Sequence, residues 1–149
     1  MSDTSDHRSR QEQVAANFIG FLPFAKALDM KIDSIGAGEA TISMPYDERL
    51  IGDPETGVIH GGAVSALMDT CGGAAVMSHP SVPDVTATLD LRIDYMRPAT
   101  PGHAITAQAT CYHVTRSVAF VRAVAMDEDT DRPVATATGA FTVMSKGGK

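Results

Sequence analysis

Between Gly61 and Met77 the chain carries one charge, the carboxylate of Asp69, and two adjacent glycines, Gly61 and Gly62, open the run. Glycine lets a ligand approach the backbone closely. Amides in the first turn of a helix have no intrahelical partners and sit at the positive end of its dipole. The natural guest there is an electron-rich oxygen. A carboxylate can take a proton from water or attack as a nucleophile. An α-helix rises about 1.5 Å per residue, so Gly61 and Asp69 stand roughly 12 Å apart. One reacting carbon cannot touch both within a single chain. The spacing therefore calls for a symmetric dimer that brings Gly61 of one protomer to Asp69 of the other.

The elements that must hold these groups follow from periodicity. Val64, Leu67, Met68, Cys71 and Ala75 recur at three- and four-residue steps, which predicts a long central helix with a buried face, ending near Ser78, His79 and Pro80. Before it, residues 11–29 read as helical, anchored by Val14, Phe18, Phe21, Leu22 and Leu28 and split at Pro23. Residues 30–35 and 39–45 read as strands around Gly36, Ala37 and Gly38, and residues 52–57 as loop. After the helix come four more strands, residues 86–96, 103–115, 117–126 and 134–144. In the first, Ala87, Leu89, Leu91, Ile93 and Tyr95 alternate with polar residues, predicting one buried face. Small residues such as Ala107, Ala109, Ala123, Ala125 and Ala137 smooth one face of the later strands, so a helix can lie close against it. The expected architecture is α+β, a long central helix wrapped by an antiparallel sheet of about six strands.

The 149 residues fit one domain, residues 11–149, behind a flexible segment at residues 1–10. A net charge of −6 without a basic cluster argues against a nucleic-acid platform. No apolar run reaches membrane-spanning length, and the start of the chain has no apolar core of a secretion signal. Cys71 and Cys111 read as small buried hydrophobes, which fits a reducing cytoplasm. His103 and His113 have no ligand-like spacing to Cys71, Cys111 or His60, so no metal site is expected. The serine-hydrolase elbow and the glycine-rich nucleotide loops are absent.

The motif Gly57-x-x-His60-Gly61-Gly62, with Asp69 nine places after the histidine, resembles the signature of the hotdog-fold, PaaI-like acyl-CoA thioesterases of the 4-hydroxybenzoyl-CoA thioesterase superfamily. The run Thr88-Leu89-Asp90-Leu91-x-x-x-Tyr95-Met96-Arg97-Pro98 is similar to that family's third strand, and the likeness extends over residues 26–145. The resemblance implies a hydrolase that splits an acyl-CoA thioester at a homodimer interface, in a dimer or homotetramer. It implies no cofactor, coenzyme A being part of the substrate. Asp69 would be base or nucleophile, and the Gly61 amide, with Gly62, would polarise the carbonyl. Tyr95, Met96, Arg97 and Pro98, with Val114, Thr115, Arg116, Ser117, Val118 and Ala119, would line the coenzyme A side. One departure stands out. Many relatives carry Asn or Gln six residues before the histidine, where this chain has Pro54; Asp53 is the adjacent polar candidate.

Each residue also has a plainer reading. Asp69 could be a solvated carboxylate, though a lone acid in so apolar a helix is costly to bury. His60 suits a general base, but the preferred reading is a residue that shapes the start of the helix and fixes the glycine amides. Thr88 either holds water or Asp69, or is simply a good strand former. Arg97, Arg116 and Lys146 could meet phosphates or be solvated charges. Met30, Met68, Met77 and Met96 are candidates for an adaptable acyl pocket. Two rivals remain: a non-catalytic acyl-CoA or acyl-carrier binding module, which Pro54 favours, and an enoyl-CoA hydratase, which lacks a second acid–base pair.

Overall fold

The computed structural model describes residues 17–18, 20–82 and 85–144. The expected flexible segment at residues 1–10, Val14 and Lys146 lie outside the described residues. Asn17, Phe18, Gly20 and Phe21 are helical, extended Leu22 breaks the run, and Pro23 restarts it at the first position of α1 (Pro23–Ala27). Leu28 is buried as expected, but the break turns Phe21 outward, 82% exposed.

Six strands form one antiparallel sheet, β1 (Lys31–Gly36), β2 (Glu39–Met44), β5 (Thr88–Tyr95), β6 (Ile105–Val114), β7 (Val118–Met126) and β8 (Ala135–Thr142), in the order β1-β2-β6-β7-β8-β5. Residues 52–57, expected as loop throughout, instead begin inside a small hairpin: β3 (Ile51–Asp53) pairs with β4 (Val58–Ile59) around a turn at residues 54–57. Helix α2 (Gly61–Met77) crosses the sheet and packs chiefly on β2, β6 and β7. There Ala107, Ala109, Ala119, Ala123, Ala125, Ala135 and Ala137 are all buried, so the helix approaches without side chains in the way. Gly72 costs about 1 kcal/mol relative to alanine in a helix interior. Its reason is packing: a Cβ there would lie 2.9 Å from the ring of Phe141, which fills the space beneath the helix and is 1% exposed.

Strand β5 departs from the expected alternation. Its register slips between Thr88 and Asp90, leaving Leu89 as a bulge. The extra residue reverses the facing of everything before it, so Thr88 joins Leu91, Ile93 and Tyr95 on the helix side while Leu89 points away, 58% exposed. Gly139 accommodates the kink, because a Cβ there would meet the Asp90 carbonyl at 2.7 Å. β5 is also a sheet edge, hydrogen-bonded to β8 alone. The expected buried face is accordingly only half buried. Among the described residues, no helix is long and apolar enough to cross a membrane.

Candidate active site

Helix α2 starts where the β3–β4 hairpin folds back onto it. The His60 amide donates to the Leu50 carbonyl at 2.8 Å, and Gly52 permits the approach, since a Cβ there would sit 2.8 Å from the His60 backbone. His60 is the N-cap: its Nδ1 accepts from the Gly62 amide at 2.8 Å. A Cβ on Gly62 would lie 2.9 Å from that nitrogen, so only glycine leaves room for this cap. The Gly61 amide makes no hydrogen bond among the described residues. Of the two candidate oxyanion donors, one is therefore occupied and the other free.

Gly61 opens on a cleft of about 410 Å³ walled by Val58, Ile59, Val64, Tyr95 and Met96, with Arg97, Pro98, Ala99 and Val134 completing the lining. The lining is mainly apolar, with Arg97 its charged member. Of the four methionines expected to form an acyl pocket, Met96 alone lines this cleft; Met30 and Met68 are core residues. The Tyr95 hydroxyl donates to the Gly61 carbonyl at 2.8 Å and lies 2.6 Å from Ser65 Oγ.

Asp69 and Thr88 meet at the other end of β5. Thr88 Oγ1 donates to Asp69 Oδ1 at 2.6 Å, and Asp69 is part exposed. α2 and β5 run in opposite directions, so Gly61 lies by Tyr95 and Asp69 by Thr88. The hairpin carrying Val114, Thr115, Arg116, Ser117, Val118 and Ala119 joins the Asp69 end, because Val118 pairs with Thr142 of β8, whose neighbour Phe141 pairs with Thr88. Thr115 closes that turn: its amide and its Oγ1 donate to the Val118 carbonyl at 2.7 Å and 3.0 Å, and its Oγ1 accepts from the Val118 amide. Arg116 is exposed and makes no hydrogen bond or ion pair among the described residues. Tyr95, Met96, Arg97 and Pro98 lie at the opposite end, about 20 Å away along β5. One chain thus divides the candidate residues into two groups.

Two polar candidates have internal partners. The Arg97 guanidinium grips Asp127 through two bonds, 2.8 Å to Oδ2 and 2.7 Å to Oδ1, and also donates to the Arg132 carbonyl. The Asp127 side chain is 1% exposed and accepts from the amides of Thr100 and Asp129. The guanidinium beside it holds the Asp127 carboxyl well below the usual range. The Asp53 carboxylate accepts from Thr56 Oγ1 at 2.7 Å and from the Glu55 amide, and these bonds lower its pKa. Asp127 and Ser65 escaped the sequence reading. An acidic turn reads as solvated charge, and a helical serine one turn after Gly61 gives no sign that a tyrosine thirty residues on will reach it.

Both cysteines are unpaired and buried, and burial pushes the Cys71 thiol up to about 12. No three His, Cys, Asp or Glu side chains cluster among the described residues.

Comparison with known proteins bears on the family and the fold. A family model described as the thioesterase superfamily matches residues 56–134, spanning β4, α2, β5, β6 and β7. The medium/long-chain acyl-CoA thioesterase YigI of Escherichia coli is 24% identical over 87% of this chain and 91% of its own. A protein of known structure from Pseudomonas aeruginosa is 37% identical, covering 90% of this chain and 99% of that one, with a TM-score of 0.80. The E. coli PaaI protein from the phenylacetic acid degradation operon, 22% identical, shares the fold over 93% of this chain and 96% of its own, with a TM-score of 0.82. The long helix on a six-stranded antiparallel sheet is the hotdog arrangement, and the chain belongs to the thioesterase superfamily.

Proposed function

We propose that the protein hydrolyses an acyl-CoA thioester to the free acid and coenzyme A, at a site built jointly by two copies of the chain. The observation that carries this reading is the division of the site: a free amide at the head of α2 and a carboxylate two turns along, too far apart to serve one carbon. The exposed edge of β5 supports a dimer, since unpaired strand edges recruit partners. Antiparallel pairing of β5 with its copy would bring the Tyr95 end of one chain to the Thr88 end of the other.

In that site the thioester oxygen faces the Gly61 N–H, which meets it at the positive end of the helix dipole. Asp69, held by Thr88, takes a proton from the attacking water, or attacks the carbon itself to form a mixed anhydride that water then hydrolyses; either way the C–S bond breaks and the leaving thiolate takes up the proton that the water gives up. Gly62 serves indirectly, its amide being capped by His60. Arg116, with no internal partner among the described residues, is the better candidate for coenzyme A phosphates than Arg97, whose guanidinium Asp127 engages. The apolar wall of Tyr95, Met96 and Pro98 favours an aliphatic acyl chain or the pantetheine arm. The reaction needs no metal or further cofactor, and the proposed setting is the cytoplasm, as a dimer or tetramer.

One observation favours a non-catalytic acyl-CoA or acyl-carrier binding module instead. Pro54 stands where relatives help to orient the reacting group, and the neighbouring Asp53 carboxylate is engaged within its own turn. Thiol release from short-chain, medium-chain and aryl acyl-CoAs, run beside Asp69→Ala, separates the two. An enzyme turns over and loses turnover in the variant with its fold intact. A binder retains the ligand and never releases thiol.

A further inference from the structure

The peptide group joining Gly61 to Gly62 is gripped on both edges. Its carbonyl accepts from the Tyr95 hydroxyl at 2.8 Å, and its N–H donates to His60 Nδ1 at 2.8 Å. Two glycines in succession form the most pliable backbone a helix can begin with. The free Gly61 N–H lies in the preceding peptide plane, whose His60 carbonyl accepts from the Ala63 amide at 3.0 Å, and the two planes meet at Gly61 Cα, so fixing both sets the aim of that amide. We infer that Tyr95, supported by Ser65, is a positioning residue that holds the Gly61 amide toward the reacting carbonyl; the inference rests on the thioester-hydrolase reading above.

Three features separate this role from ordinary packing. Tyr95 is 52% exposed, so its ring is not core filler. The ring lies close against the first turn, where a Cβ on Gly61 would meet it at 3.3 Å. The third is a contrast within the same helix. A helical Ser or Thr hydroxyl commonly bonds the carbonyl four residues back, as Thr70 does to Ala66 at 2.8 Å. Ser65 could do the same to Gly61. Instead the Tyr95 hydroxyl stands between them, 2.6 Å from Ser65 Oγ and donating to the Gly61 oxygen. The strand end is thereby tied to the carbonyl of the same residue that carries the free amide. The bulge at Leu89 lets Thr88 and Tyr95 face α2 together, so one strand serves both the carboxylate and the amide.

The test is Tyr95→Phe, which keeps the ring and removes the hydroxyl, with Ser65→Ala beside it. Melting temperature and oligomeric size are measured first, then steady-state thiol release and the amide NMR resonances of Gly61 and Gly62. A misaimed donor acts only where charge develops, so kcat should fall roughly 10- to 100-fold with KM changed less than about twofold, and less in Ser65→Ala. The Gly61 and Gly62 resonances should move while that of Cys71 stays. Unchanged kcat with a lowered melting temperature would make Tyr95 merely structural and overturn the inference. A raised KM at constant kcat would make it a substrate contact and overturn the inference equally. Unmoved Gly61 and Gly62 resonances overturn it without any need for turnover. Wild type that releases no thiol from any acyl-CoA would sink the hydrolase reading, and the resonances would still decide whether Tyr95 orients this peptide.

Discussion

The two ends of β5 are held in very different ways. At the Tyr95 end, the strand is tied to α2 through Gly61 and Ser65, and the Met96 amide continues to the Val134 carbonyl. The next residue, Arg97, is clasped by the buried Asp127. At the Thr88 end, one side-chain bond to Asp69 joins strand and helix, and the strand is bulged and open along its edge. The amide end is closed by bonds within the chain; at the carboxylate end Asp69 is part exposed and Thr88 exposed. An enzyme assembled from two copies would have this asymmetry, with a rigid half presented to an open one.

Variants at the two ends should therefore behave differently. Asp69→Asn should lower kcat about a thousandfold while leaving urea unfolding nearly unchanged, because the carboxylate has one hydroxyl partner and partial exposure. Asp127→Asn should do the reverse in kind. It leaves the Arg97 guanidinium without its counter-charge and should cost about 3 kcal/mol in urea unfolding. The clasp also has a pH signature. The Asp127 carboxyl is depressed in the folded state, so its stabilisation is full above the unfolded carboxyl value of about 3.9 and is lost as pH falls below it. Denaturation of wild type below about pH 4 should show this loss, and the asparagine variant should lack that part of the slope.

Smaller effects sharpen the contrast. Thr88→Val keeps the shape of the side chain and removes the hydroxyl on Asp69, and should lower kcat about tenfold with little change in melting temperature. His60→Ala removes an N-cap and should cost about 1 kcal/mol of stability. A kcat loss there approaching that of Asp69→Asn would instead make the imidazole a chemical participant and blur the division between the two ends.

Much of this was readable in the chain. The period of Val64, Leu67, Met68 and Cys71 announces the helix, the small-residue face announces the sheet it lies on, and the spacing of Gly61 and Asp69 places them two turns apart on that helix. What escaped depends on long-range geometry. Alternation in residues 86–96 cannot register a bulge, because the slip at Leu89 is set by the pairing of Thr88 and Asp90 with consecutive residues of β8, Phe141 and Ala140. The bulge therefore reverses the facing of Thr88. Arg97 looks like a phosphate ligand until Asp127, thirty residues later, takes both its terminal nitrogens. Met30 and Met68 have the composition of an adaptable pocket, and only packing sends them to the core. Tyr95 and Ser65 meet through an approach of strand to helix that no local pattern encodes.

The central claim, that each site takes its amide from one chain and its carboxylate from another, is most directly tested by mixing two inactive variants. Gly61→Val crowds the Tyr95 ring and obstructs the amide; Asp69→Ala removes the acid. Each alone should release no thiol. Unfolded together in equal amounts and refolded, they should form mixed dimers with one intact site in each, and activity should return to about a quarter of wild type per chain. Mixed dimers that form yet stay inactive would put both groups of a site on one chain and contradict the account.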